Sequence, residues 1–344
     1  MAYVTIDELA GFIHRLLTGS GIGAADADIV TNVYIRATLR GVGHHDIHDL
    51  YKRLTWLADD RINKRPKIKP VRSFAALESY DGDNGLGELC SQFIMRRAVS
   101  LAGQYGIGLC TIRHSNHFLA AAPYTEWATE QGYIGLIFTR DKPTMNAPGA
   151  TCNVIGNNPF GFAVGQQDAY PLMLDIAMAY TSIGKLNQLA RNHEEIPSHW
   201  GKSKNGSPTV HPGEVLDGGT VNPVGLHKGF GLALLVEILT GVLSGGQVID
   251  ELHPTAGEMG FYAQTAIAIK PDGLLPPEQF QSRLSDMMER IGALGGQLRM
   301  PGQRSTERKH QMLREGLALS DEMASILNDW ARKLNVPGLS NFDK

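Results

Sequence analysis

Three histidines and two aspartates crowd into His44-His45-Asp46-Ile47-His48-Asp49, directly after Arg40-Gly41-Val42-Gly43. Imidazole exchanges a proton near neutral pH, so this cluster suits acid/base work or substrate binding. On a helix, His44/His48 and His45/Asp49 would stand four residues apart, which also admits a metal site, although no H-E-x-x-H pattern supports one. A solvated helix start is the plainer alternative. A second polar group, Arg113-His114-Ser115-Asn116-His117, follows the apolar run Gly106–Ile112. Residues leaving the end of a buried strand are placed to line a cleft. A proton donor there, beside the polarising amide of Asn116, suits carbonyl reduction; a capped loop leading into the next helix is the other reading.

Two more segments have ligand-binding chemistry. Gly156-Asn157-Asn158-Pro159-Phe160 is a turn whose amides could hold a ribose or a nicotinamide, or a turn and nothing more. Gly225-Leu226-His227-Lys228-Gly229-Phe230-Gly231 opens an apolar helix. A helix start with glycines and a lysine can bind phosphate through amides, dipole and charge. The usual dinucleotide fingerprint is incomplete: Gly85-Leu86-Gly87-Glu88-Leu89-Cys90 lacks its third glycine, and no clear strand precedes it. Motif physics alone therefore does not announce a nicotinamide enzyme.

The elements that must position these residues follow from periodicity. Thr5-x-x-Glu8 is a capping box ahead of Ile6, Leu9, Ile13, Leu16 and Leu17 at helical spacing. A second helix is expected over 25–39 and a third apolar stripe over 47–57. Loops and strands follow over 61–82, then a helix over 87–105. Strands are expected at 106–112, 133–139, 160–164, 172–176 and 263–269, with a short helix at 123–131. A Gly/Pro-rich stretch, 195–230, precedes an apolar helix over 229–243, and a polar-faced helical region begins near Gln279. Helices cluster at both ends and strands lie between. This predicts an α/β protein in which residues 1–75 and 280–344 form a helical terminal unit and 76–279 a central α/β region that binds ligands.

Composition narrows the function classes. The 344 residues are 42% apolar and 19% charged, which fits a globular chain with a sizeable core. A net charge of −3 supplies no basic field, so nucleic acid and anionic membranes are not expected partners. No apolar run is long enough to span a bilayer, and the N-terminal residues lack a leader pattern, which makes the cytoplasm the expected location. Cys90, Cys110 and Cys152 are widely spaced and odd in number, so they read as buried free thiols rather than a disulfide or metal framework.

Taken in order, these segments resemble the malate/L-lactate dehydrogenase family, which also holds ureidoglycolate dehydrogenase, diketogulonate reductase and piperideine-2-carboxylate reductase. The matching residues are Leu39-Arg40-Gly41, His45, Arg113 through Phe118, Gly156-x-Asn158-Pro159, Asp175, Gly184-Lys185, Asn205-Gly206-x-Pro208-Thr209, His227 through Leu232 and Met300-Pro301-Gly302. The resemblance spans nearly the whole chain. It implies a non-Rossmann fold with a central mixed sheet and helices from both termini, in a homodimer. It implies hydride transfer between NAD or NADP and a small hydroxy/oxo compound, with His45 and His117 as the matching proton-transfer histidines. Cofactor contacts are implied at Asn157, Asn158, Pro159, Asp175, His227, Lys228, Gly229, Gly302, Gln303 and Arg304.

The chain departs from the family pattern at ligand-facing positions. Where the family carries an arginine that clamps a substrate carboxylate, this sequence has Asp49. Arg140 and Asp141 stand where small polar residues are common, Asn157 replaces a threonine, and Met178-Ala179 departs from the usual pattern. Asp49, Asn116, Arg140 and Asp141 are therefore the expected substrate contacts. Asp49 is expected to repel a carboxylate and to favour an atypical neutral or cationic substrate, unless Arg140, paired with Asp49 or Asp141, has become the clamp. Two alternatives stand beside this reading: a cyclic imine reductase, and a catalytically silent, dimeric ligand-binding paralogue.

Overall fold

The computed structural model describes residues 2–167, 169–249, 259–295 and 298–339. Seven strands form one sheet in the spatial order Lys69–Phe74, Leu77–Asp81, Ile107–Ser115, Tyr262–Ile269, Ile134–Thr139, Phe160–Val164, Leu172–Ile176. Leu77–Asp81 runs parallel to Ile107–Ser115, and the other neighbours are antiparallel. The sheet is thus mixed and unlike a doubly wound one. Tyr262–Ile269, near its middle, is buried almost throughout, as its run of small and β-branched residues requires of a strand covered on both faces.

The parallel pair is joined by the helix Gly87–Tyr105. A strand therefore does precede the incomplete fingerprint, against the sequence expectation. Leu77–Asp81 is short and mostly half-exposed, which hid its periodicity. The glycine at 87 serves packing: a Cβ there would stand 2.1 Å from the Asn116 carbonyl oxygen and 2.3 Å from that of His117. The helix can start against this stretch of backbone because position 87 is bare.

The chain ends meet. Ala2–Val4 pairs antiparallel with Leu317–Leu319. Thr5 caps the helix Ile6–Gly19 by accepting from the Glu8 amide at 3.2 Å, as the capping box predicts. Leu9, Ile13, Val30 and Leu54 of the N-terminal helices share one buried cluster with Cys110, Ile137 and Ala266 of the sheet and Leu327 of the helix Asp321–Lys333. Each such side chain contributes about 1.5–3 kcal/mol by leaving water. A smaller core of Met145, Ile155, Met178, Leu186, Val215, Val221 and Ala233 lies beside the sheet. Cys90 and Cys110 are buried free thiols, whereas Cys152 is exposed, contrary to expectation. Among the described residues, no helix is long and apolar enough to cross a membrane.

Candidate active site

The helix Ala24–Arg40 ends at Gly41, whose φ of +66° only glycine adopts at ease. Asp46 then organises the loop. Its carboxylate accepts from the amides of Gly43 (2.9 Å) and His48 (3.0 Å), and it lies 2.6 Å from His48 Nδ1. This ties His48 to the loop and presents His44 and His45 to a cavity of about 1080 Å³. On the far side, the strand Ile107–Ser115 delivers His117 to the same cavity. The rings of His45 and His117 lie 4.9 Å apart, centroid to centroid. Burial pushes the His45 imidazolium down to about 3, with His44 adding to the shift, and burial likewise holds His117 well below the usual histidine range.

Behind His117 lies a buried charged group that sequence reasoning missed. Arg53 Nη1 donates to Asp49 Oδ2 at 2.6 Å, and Nε donates to Glu88 Oε1 at 3.0 Å. Nη2 lies 3.0 Å from His117 Nδ1. Asp49 Oδ1 also meets Lys52 Nζ at 2.6 Å. Burial works against the Asp49 carboxylate, but Arg53 and Lys52 overcome it and hold its pKa below the ordinary range. Asp49 is 4% exposed and is not among the cavity-lining residues. The expectation that it confronts the substrate as a free negative charge is corrected accordingly. The helical spacing of Asp49 and Arg53 was a legible signal; the contact with Glu88 was not.

Donor atoms of His45, Asp49 and His117 lie within 4.8 Å of one another, the spacing a metal ion would need. The cations Arg53 and Lys52 already hold the Asp49 oxygens, and Arg53 faces His117 Nδ1. A metal ion would be repelled there. His44 and His48 do not form the alternative pair, since His48 turns to Asp46.

Arg140 and Asp141 line the cavity at the end of the strand Ile134–Thr139. Arg140 pairs with Glu237 (Nε to Oε1, 3.1 Å), not with Asp49 or Asp141, and donates from Nη1 to the Phe261 carbonyl at 2.8 Å. Asp141 accepts from the Tyr262 hydroxyl at 3.0 Å. Asn116 faces inward instead: it donates to Asn84 and Gly85 and accepts from the Gly260 amide.

The residues expected to hold a cofactor divide. Asn157, Pro159, Asp175, Gly302 and Arg304 line the cavity. Asn157 Oδ1 is buried with no hydrogen-bond partner among the described residues, as is Arg40 Nε. Gly302 has φ +94°, and a Cβ on it would stand 2.5 Å from the Pro171 carbonyl oxygen. Asp175 accepts the Ala121 and Ala122 amides at the start of the helix Ala122–Glu130. Asn158, by contrast, is a buried bracket. It holds the Asp141 amide, the Ala233 carbonyl and Glu237. Gln303 bonds to Glu307 and is absent from the lining.

His227, Lys228 and Gly229 also lie outside the lining. The amides of Lys228, Gly229 and Phe230 already bond to the carbonyls of Gly225, Val224 and Leu226. The free amide cradle expected at this helix start is therefore occupied.

Comparison with known proteins finds relatives along nearly the whole chain. A family model described as malate/L-lactate dehydrogenase matches residues 4–328. A malate dehydrogenase of Pyrococcus abyssi is 32% identical, over 98% of this chain and 97% of that protein. The solved sulfolactate dehydrogenase of Methanocaldococcus jannaschii superposes with a TM-score of 0.91 at 28% identity, covering 100% of both chains. The delta1-piperideine-2-carboxylate reductase of Pseudomonas syringae gives a TM-score of 0.87 at 25% identity, over 96% of this chain and 100% of that one.

Proposed function

Because the chain belongs to the malate/L-lactate dehydrogenase family and is an NAD(P)-dependent oxidoreductase, we propose that its cavity binds a small 2-oxo or 2-hydroxy acid beside the nicotinamide, with His45 and His117 at the reacting oxygen. The observation that carries the acid is Lys52. It lines the cavity, its side chain is 48% exposed, and Asp49 holds its ammonium at 2.6 Å. Its charge is felt by both His45 and His117. The charge reversal at position 49 thus leaves a cation at this end of the cavity: an aspartate there braces two cations that follow it on the next turn, Lys52 toward the ligand and Arg53 behind His117. A substrate carboxylate meets Lys52 instead of a bare Asp49.

The unsatisfied Asn157 Oδ1, the bare backbone at Gly302 and the cations Arg40 and Arg304 fit a dinucleotide along the other part of the cavity. The nicotinamide, when bound, supplies or accepts the hydride. The histidine pair holds the substrate oxygen and passes its proton. Exposed Leu232, Leu235, Ile238 and Val242 on the segment from His227 to Val242 support the expected homodimer, which sedimentation at graded concentration tests.

A panel of 2-oxo acids and their amides, followed at the nicotinamide absorbance, decides the substrate class. Acids should be preferred, and Lys52→Met should raise KM for the acid about 10–100-fold with little change for the amide. Equal use of acid and amide by the parent would overturn the reading. A cyclic imine acid belongs in the same panel, because the Asp141 carboxyl, fixed by Tyr262, could pair with an iminium nitrogen.

A further inference from the structure

The surroundings of His117 settle which of its nitrogens carries hydrogen. Nδ1 lies 3.0 Å from Arg53 Nη2 and 3.1 Å from the backbone nitrogen of Leu119. Both neighbours are obligate donors: a guanidinium has five N–H groups and no lone pair to offer, and an amide nitrogen only donates. Nδ1 must therefore be the acceptor of both. Turning the ring over would set a C–H against the two donors and leave them unpaired. The neutral ring then has its single hydrogen on Nε2. A doubly protonated ring would force an N–H against the guanidinium.

Arg53 cannot swing away from this duty. It is 2% exposed and is held by Asp49 on one nitrogen and Glu88 on another. Glu88 is itself 0% exposed and also receives the Tyr34 hydroxyl at 3.1 Å. The guanidinium lies over the Trp56 ring at 5.0 Å. The second donor is fixed as well: Leu119 adopts φ +75°, a conformation costly for a leucine, which turns its amide back toward the ring. Arginine differs from lysine or histidine at this post because it does not give up its proton, so it cannot exchange donor and acceptor roles with the ring.

We propose that Arg53 is a positioning residue that locks His117 as the neutral Nε2–H tautomer, making it a permanent hydrogen-bond donor to the substrate oxygen and leaving proton delivery to His45. This rests on the cavity being the oxidoreductase site. On carbonyl reduction, hydride adds to the carbon and the π-bond pair moves to oxygen. His117 Nε2–H holds that oxygen without surrendering its hydrogen, since loss would create an imidazolate. The proton that ends on the oxygen arrives through His45: as negative charge develops on the oxygen, His45 takes up a proton from solvent, passes it to the oxygen and returns to the neutral ring. The division resembles an oxyanion donor beside a separate acid.

The test is long-range 1H–15N correlation on the full chain with 15N-labelled histidine, His117 being assigned by the loss of its signals in His117→Asn. The expected result is a pure Nε2–H pattern for His117 that does not titrate between about pH 5 and 9. Arg53→Gln with Glu88→Gln removes a charge at each end of one pair and leaves Asp49 its contact with Lys52. In that variant the two tautomers should mix, His117 should begin to titrate, and kcat should fall about 100-fold with a smaller change in KM. An Nδ1–H pattern or a titrating ring in the parent overturns the lock. So does a pure Nε2–H pattern that persists in the double variant. If the lock is seen but no 2-oxo acid is turned over, the substrate reading fails while the assignment of Arg53 stands.

Discussion

Two buried charge clusters serve the cavity, and they are built with opposite polarity. At the histidine end a single guanidinium, Arg53, lies between the carboxylates of Asp49 and Glu88. At the Arg40 end a single carboxylate, Glu126, is surrounded by Arg40 at 2.6 Å, Lys309 at 2.6 Å and Arg36 at 3.6 Å. Lys52 completes the balance in the first cluster, whereas Glu130, paired with Arg36, offsets only part of the excess in the second. The first is neutral as a whole and acts by geometry. The second keeps a surplus of positive charge, and Arg40 brings it to the cavity wall near Gly302 and Arg304. Burial of ions can thus fix the state of a neutral ring in one place and prepare for an anion in another.

Breaking the first cluster should cost the most. Arg53→Met leaves two buried carboxylates short of their partner and should lower stability by about 3–5 kcal/mol in denaturant unfolding. A loss under 1 kcal/mol would mean that water already reaches Asp49 and Glu88. Glu126→Gln should cost less, about 1–3 kcal/mol, because Lys309 and Arg36 are partly exposed and can turn to solvent. An equal loss in the two variants would erase the distinction between them.

Binding sharpens the contrast from the other side. Arg40→Gln should weaken NADH or NADPH by about 1–3 kcal/mol in a fluorescence titration, as for loss of a charge-assisted contact. Arg53→Gln with Glu88→Gln should leave that affinity within about 0.5 kcal/mol. Unchanged affinity in Arg40→Gln would remove the positive end from the cofactor's path.

The smallest effect concerns pH. The folded pKa of His45, about 3, lies below its ordinary 6.5. As pH falls below about 6.5, the unfolded chain takes up a proton that the folded chain refuses. Stability is therefore full above that pH and declines toward pH 3, with His117 adding in the same direction. After allowance for solvent screening, His45 should account for about 1–2 kcal/mol between pH 7 and pH 5. Urea unfolding at the two pH values, compared with His45→Gln, reads it; an unchanged slope in the variant would show that His45 is not the group responsible.

Much of this molecule was legible in its residues. Phe160–Val164, Leu172–Ile176 and Gly87–Tyr105 occur where apolar periodicity puts them. The family motifs picked out His45 and His117, which do share a cavity. Other features depend on contacts that no local pattern encodes. The apolar segment read as one helix over 229–243 is an α-helix only to Glu237, followed by a π-turn at Ile238–Val242 that sets Gly241 against Arg140 Nε. The helix Ile183–Arg191 was not foreseen beside its loop-like neighbours. Asp49 was misjudged because its charge was read at one position, while Arg53, Lys52 and Glu88 decide what that charge does.

The pairing of Ala2–Val4 with Leu317–Leu319 carries a consequence for how the protein is made. A ribosome adds about 5–20 residues per second, so the first strand waits tens of seconds for its partner. Through that interval the apolar faces of the helices Ile6–Gly19 and Leu50–Ala58 lack the cover that the helix Asp321–Lys333 later brings. The nascent chain must keep its opening helices from sticking elsewhere until residues 317–333 have emerged to cover them.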